Sequence, residues 1–159
     1  MSQLDCNTAR GKGYIECQMS CLKALEKATG VTMVMTPEDE AAGVDALAVR
    51  ANRVVAVLEV KSREMDLAQL NRFGSYLITF EKLLKIKTVS ASLCVPGFVV
   101  VSLLKEEKPT VLMWKVCDER GNLVASLEAR VSQTQATSNG GQADRYNAYL
   151  SVKEAEVVV

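Results

Sequence analysis

Apolar positions recur along the chain with two different periods, and the switches between them mark out the elements. Residues 14–28 place Ile15, Cys21, Leu22, Ala24, Leu25 and Ala28 at helical spacing, and Gly30 ends that helix. Residues 31–35 read as a strand, followed by a loop at 36–43 punctuated by Pro37 and Gly43. Residues 44–49 and 53–61 are apolar runs joined by the polar turn 50–52, the pattern of a hairpin. In 64–85, Leu70, Phe73, Leu77, Phe80 and Leu84 step by three and four, which predicts one long helix. Residues 97–104 and 110–117 are two further strands, and 118–122 turn into a short strand candidate. The polar segment 132–145 reads as a loop, and 146–159 as a terminal strand at a sheet edge. The expectation is one mixed α/β domain over residues 1–159.

The second hairpin strand poses a problem. Strict alternation puts Val54, Ala56, Leu58 and Val60 on one face and Val55 and Val57 on the other, so both faces are apolar until Glu59. Glu59 and Lys61 then share a face. On an edge strand they would be a surface ion pair worth at most about 1 kcal/mol. In a central strand, unpaired charges would cost several kcal/mol. The hairpin brings Asp45 beside them. Two converging carboxylates are what Mg²⁺ or Mn²⁺ requires, and a lysine next to such an ion can orient water or stabilise charge on a phosphate. That chemistry hydrolyses phosphodiesters.

Composition narrows the alternatives. The chain has 159 residues, 48% hydrophobic and 24% charged, the profile of a globular protein. Lysine plus arginine and aspartate plus glutamate both number 19, so a nucleic-acid partner would be held by a local patch. Histidine is absent, which removes Ser-His-Asp and Cys-His catalysis and histidine-ligated zinc. The five cysteines form no CxxC pair and are expected to be reduced, with Cys17 and Cys21 one helical turn apart as packing residues. The amino terminus shows no signal-peptide core, and no apolar run approaches the ~18 residues of a membrane span. A cytoplasmic location without membrane contact is expected.

Asp45 followed by Glu59-Val60-Lys61 resembles the D…ExK motif of the PD-(D/E)xK nuclease superfamily. Valine at Val44 stands where the superfamily's name has proline. Glu16 matches the acidic residue that many members carry in the first helix, although it also shares a solvated stripe with Ser20, Lys23 and Lys27. Gln69 matches the glutamine of RecB-like members, with Phe73 at the usual tyrosine spacing and Tyr76 further on. The resemblance covers roughly residues 11–105 and implies a restriction-endonuclease-like αβββαβ core, a mixed central sheet flanked by helices. It implies a nuclease that cleaves DNA with Mg²⁺, or Mn²⁺ in its place, in recombination, repair or phage DNA processing. Asp45, Glu59, the Val60 carbonyl and Glu16 would serve the metal, Lys61 the attacking water, and Gln69 the substrate or the lysine. Arg10, Lys12, Arg63, Arg72 and Tyr76 are candidates for contacting nucleic acid. RNA stays open as a substrate, as does a homodimer. The alternatives are a Holliday-junction-resolvase-type endonuclease and a non-catalytic nucleic-acid-binding or assembly module on the same fold.

Overall fold

The computed structural model describes residues 9–37, 42–134 and 143–159, excluding the side chain of Thr134. The first half runs α1 (Ala9–Thr29), β1 (Thr32–Met35), β2 (Ala46–Arg50) and β3 (Arg53–Arg63). The β2–β3 hairpin closes as expected, with Arg50 opposite Arg53. Ala51 and Asn52 both take positive φ, 48° and 59°, as a two-residue hairpin turn with the twist of its strands requires.

The long helix expected at 64–85 is instead three elements: α2 (Leu67–Phe73), β4 (Ser75–Thr79) and α3 (Phe80–Leu93). Asp66 and Gln69 form a reciprocal capping box at the start of α2. Gly74, at φ 70°, ends that helix in the left-handed conformation. The apolar stripe did not distinguish these states, because Tyr76 and Ile78 bury by strand alternation while Phe73 and Leu84 are exposed. β5 (Gly97–Leu103) and β6 (Thr110–Cys117) follow as expected.

The carboxy-terminal part also departs from the pattern. β7 (Leu127–Thr134) and β8 (Ala143–Ser151) absorb both ends of the segment expected as a loop, whose residues 135–142 lie outside the described residues. The expected terminal strand is divided: β8 is the middle strand of a sheet, a 3-10 turn spans Val152–Glu154, and β9 (Glu156–Val157) forms a sheet edge.

Two sheets result. Six strands order as β1-β2-β3-β5-β6-β9, with β3 and β5 parallel and their neighbours antiparallel, while β4-β8-β7 make a small antiparallel sheet. Cys21, Leu22 and Leu25 of α1 pack with Ala56, Leu58 and Val60 on one face of the large sheet. Leu83 and Ile86 of α3, with Tyr76, Ile78, Ala148 and Leu150 of the small sheet, pack with Val57, Val99 and Trp114 on the other. The structure is therefore a mixed sheet flanked by helices, with α1, three strands, a helical crossover and a parallel strand in the order αβββαβ. Val54 departs from strict alternation. A register shift opposite Ala48 and Val49 turns it to the α3 side and leaves Val55 exposed.

Gly97 opens β5 where α3 crosses it. A Cβ there would run into Ile86 Cγ2 and lie 2.5 Å from Ser90 Oγ. Helix and sheet would have to separate to admit a methyl group. Gly97→Ala is expected to cost about 1–3 kcal/mol, read as a lower urea midpoint at unchanged m-value.

Candidate functional site

The site forms where the large sheet opens. β2 pairs with β3 only as far as Leu58, opposite Ala46. Beyond that point Glu59, Val60 and Lys61 have β5 on one side, and on the other the segment leading into β2. Asp45 occupies this gap. Its backbone N–H donates to the Leu58 carbonyl at 3.0 Å, and its Oδ2 accepts the Val60 N–H at 2.8 Å. The carboxylate thus satisfies a ladder donor that β2 no longer reaches.

Because side chains alternate on β3, Val60 points to α1 while Glu59 points to α3. Glu59 is completely buried. Lys61 Nζ lies 2.6 Å from Glu59 Oε1 and 3.5 Å from Asp45 Oδ2, so Asp45, Glu59 and Lys61 share one ion-pair cluster. A fourth member comes from the first turn of α3, where Lys82 Nζ lies 3.1 Å from the same Glu59 Oε1. Both lysine contacts are charge contacts without hydrogen-bond angles, and Glu59 Oε2, equally buried, also has no hydrogen-bond partner among the described residues.

Burial pulls the Lys61 ammonium towards deprotonation, but the charge of Glu59, then that of Asp45, and the close contact with Glu59 together outweigh it. The result lies above the ordinary lysine value of 10.5. Lys61 is therefore held as an ammonium at neutral pH. Tyr76 borders this cluster from β4, where burial raises its pKa despite the opposing charges of Arg63 and Lys61.

The remaining candidates are placed differently. Glu16 is exposed on α1, which packs against the opposite face of the sheet, and no ion pair joins it to the cluster. Gln69 serves α2, its Oε1 accepting the Asp66 N–H at 3.1 Å. Tyr76, expected within the helix 64–85 as a nucleic-acid contact, is buried in β4 because Gly74 ended the helix. It stacks on Trp114 at 5.4 Å, with Arg63 over its ring at the same distance. Base stacking on Tyr76 is therefore closed off, whereas Arg63 stays half-buried beside the cluster. Arg72 is exposed on α2. Arg10 and Lys12 are exposed on α1, Arg10 lying 5.9 Å from the Tyr14 ring centre.

Lys82 escaped the sequence reading because it needs the break at Gly74. A continuous helix from 64 would have carried it away from β3. The available signal was glycine followed by Ser-Tyr-Leu-Ile-Thr, a short β-prone run.

The donor set fits a hard divalent cation in part. Two carboxylates, one of them with both oxygens buried and without a hydrogen-bond partner among the described residues, suit Mg²⁺, which keeps several waters and takes few protein ligands. Among the described residues no group of three or more acidic, cysteine or histidine side chains forms a fuller cage.

The order of elements and the mixed sheet are those expected of a restriction-endonuclease-like core. Among solved structures the chain is similar to Hjc from Archaeoglobus fulgidus, a Holliday junction resolvase from an archaeal hyperthermophile. The TM-score is 0.49 at 12% identity, covering 85% of this chain and 88% of that one. No protein-family model matches the sequence, and no curated protein does. Among the described residues no helix is long and apolar enough to cross a membrane.

The raised pKa of Lys61 has a consequence for stability. A group whose folded pKa exceeds its unfolded value stabilises the fold fully below the unfolded value, and this is lost as pH rises through the folded one. Lys61→Met is expected to cost about 1–3 kcal/mol at neutral pH, since it strips a partner from a buried carboxylate. The difference from wild type should narrow as pH rises past 10.5 and through the folded pKa, followed in paired denaturation curves.

Proposed function

We propose that this protein is a metal-dependent nuclease that hydrolyses phosphodiester bonds in DNA. The observation that carries the proposal is the convergence of Asp45, Glu59 and Lys61 on one side of the sheet, with Lys61 within 3.5 Å of Asp45 and 2.6 Å of Glu59. Asp45 and Glu59 would hold Mg²⁺ or Mn²⁺, with the Val60 carbonyl as a further oxygen ligand. When bound, such an ion supplies positive charge to the phosphoryl oxygens and makes an attacking water more acidic.

The protein's own groups carry the rest. Lys61, kept as an ammonium, would orient the water by hydrogen bonding and stabilise charge developing on phosphorus-bound oxygen. Arg63, at the next outward-facing position of β3, is in line to meet a neighbouring phosphate. Asp45 is pinned through the Val60 N–H, so its carboxylate is oriented before any ligand arrives. DNA is the proposed partner. Recombination or repair is the proposed setting, with resolvase-type cutting as the finer alternative.

One observation favours a second reading. Glu59 is engaged by two lysines, which neutralises the cluster as it stands. A protein using this core only to bind nucleic acid or to assemble would retain such a balanced site.

Labelled single-stranded, duplex and branched DNA, with RNA alongside, separates the two. Wild type is expected to cut with Mg²⁺ or Mn²⁺ and not in EDTA. Asp45→Asn and Lys61→Met should each lose at least about 100-fold in rate. Binding without metal-dependent cutting of any substrate would favour the second reading.

A further inference from the structure

Lys82 belongs to the cluster but not to the motif that carries the proposed chemistry. We infer that Lys82 is an exchangeable counter-ion of Glu59: it holds the carboxylate while no divalent cation is bound and is released when one binds. The inference rests on the metal-dependent reading above and assigns Lys82 a positioning role within it.

Three observations support this. Both lysines make their closest approach to the same oxygen, Glu59 Oε1, and neither Oε1 nor the equally buried Oε2 has a hydrogen-bond partner among the described residues. Two charge contacts thus converge on one atom of a buried carboxylate whose hydrogen-bonding capacity is unused. Lys61 is anchored between two acids, Glu59 and Asp45, whereas the ion pair of Lys82 is with Glu59. Lys82 is therefore the less tethered of the two. It also sits in the first turn of α3, where the helix dipole disfavours a positive charge. Its neighbours Glu81 and Lys85 pair with each other at 3.2 Å, and the ion pair of Lys82 itself is with Glu59.

Charge completes the picture. Asp45 and Glu59 balance Lys61 and Lys82, so the cluster is neutral as it stands. A divalent cation shared by the two acids adds two positive charges within a few ångströms of both ammoniums, and repulsion falls hardest on Lys82, which has one ion-pair partner among the described residues. The Lys82 side chain is 32% exposed, so it has a route out towards solvent.

The test is a Mn²⁺ titration, following free Mn²⁺ by electron paramagnetic resonance, with wild type, Lys82→Met, Lys82→Arg and Asp45→Asn. Removing the competing charge should tighten Mn²⁺ binding by about tenfold or more in Lys82→Met, while Lys82→Arg stays near wild type. In EDTA, Lys82→Met should melt below wild type, and saturating Mn²⁺ should close that gap. Should Lys82→Met fail to melt cooperatively, Lys82→Gln replaces it in the same titration. Equal or weaker Mn²⁺ binding by the folded, uncharged variant would overturn the inference. Loss of binding in Asp45→Asn would still leave the metal reading standing in that case. No Mn²⁺ binding by wild type or by the uncharged variant would remove both.

Discussion

A carboxylate with no exposed surface must be neutralised where it stands, and Glu59 is the residue on which this arrangement turns. Burying an unpaired carboxylate costs several kcal/mol, comparable with the whole net stability of a small domain. Its surroundings meet that demand from two directions. Lys61 comes from the same strand two residues on, and Lys82 comes from a helix that reaches the site only after an intervening strand. Asp45 joins through Lys61 and through the backbone of Val60. The same charge balance that allows Glu59 to be buried gathers the groups that the proposed phosphate chemistry would use.

The fold supplies the geometry. β3 is central, with β2 leaving it at Leu58 and β5 continuing beside it through Arg63. The backbone on the β2 side is thereby freed, and Asp45 takes up the donor. The small sheet and α3 close the opposite side, Tyr76 and Trp114 forming a stacked wall beside Lys61 and Glu59.

Much of the site was legible in the residues. Alternation along 53–61 put Glu59 and Lys61 on one face, and the hairpin at Ala51 and Asn52 returned Asp45 to them. Both are local signals, which sequence carries directly. What the sequence hid was long-range. The stripe Leu70, Phe73, Leu77, Phe80, Leu84 satisfies a helical period, yet Gly74 breaks it and β4 pairs with β8, more than 60 residues away in the chain. Tertiary pairing overrode a local pattern, and Lys82 and Tyr76 moved with it. The bulge that turned Val54 was hidden for a related reason, because a register shift belongs to the strand pair and not to either strand alone. Gln69 shows the reverse case: a residue matching a family position has a local duty, the cap of α2, that its spacing from Asp66 already announced.

The most direct measurement is anomalous diffraction at the manganese edge from crystals soaked in Mn²⁺. One peak is expected on the α3 side of β3, within ligand distance of a carboxylate oxygen of Asp45 and of Glu59, with Lys61 still beside them. A crystal with no peak there, and with Glu59 still held by both lysines, would contradict the assignment of this cluster as a metal site.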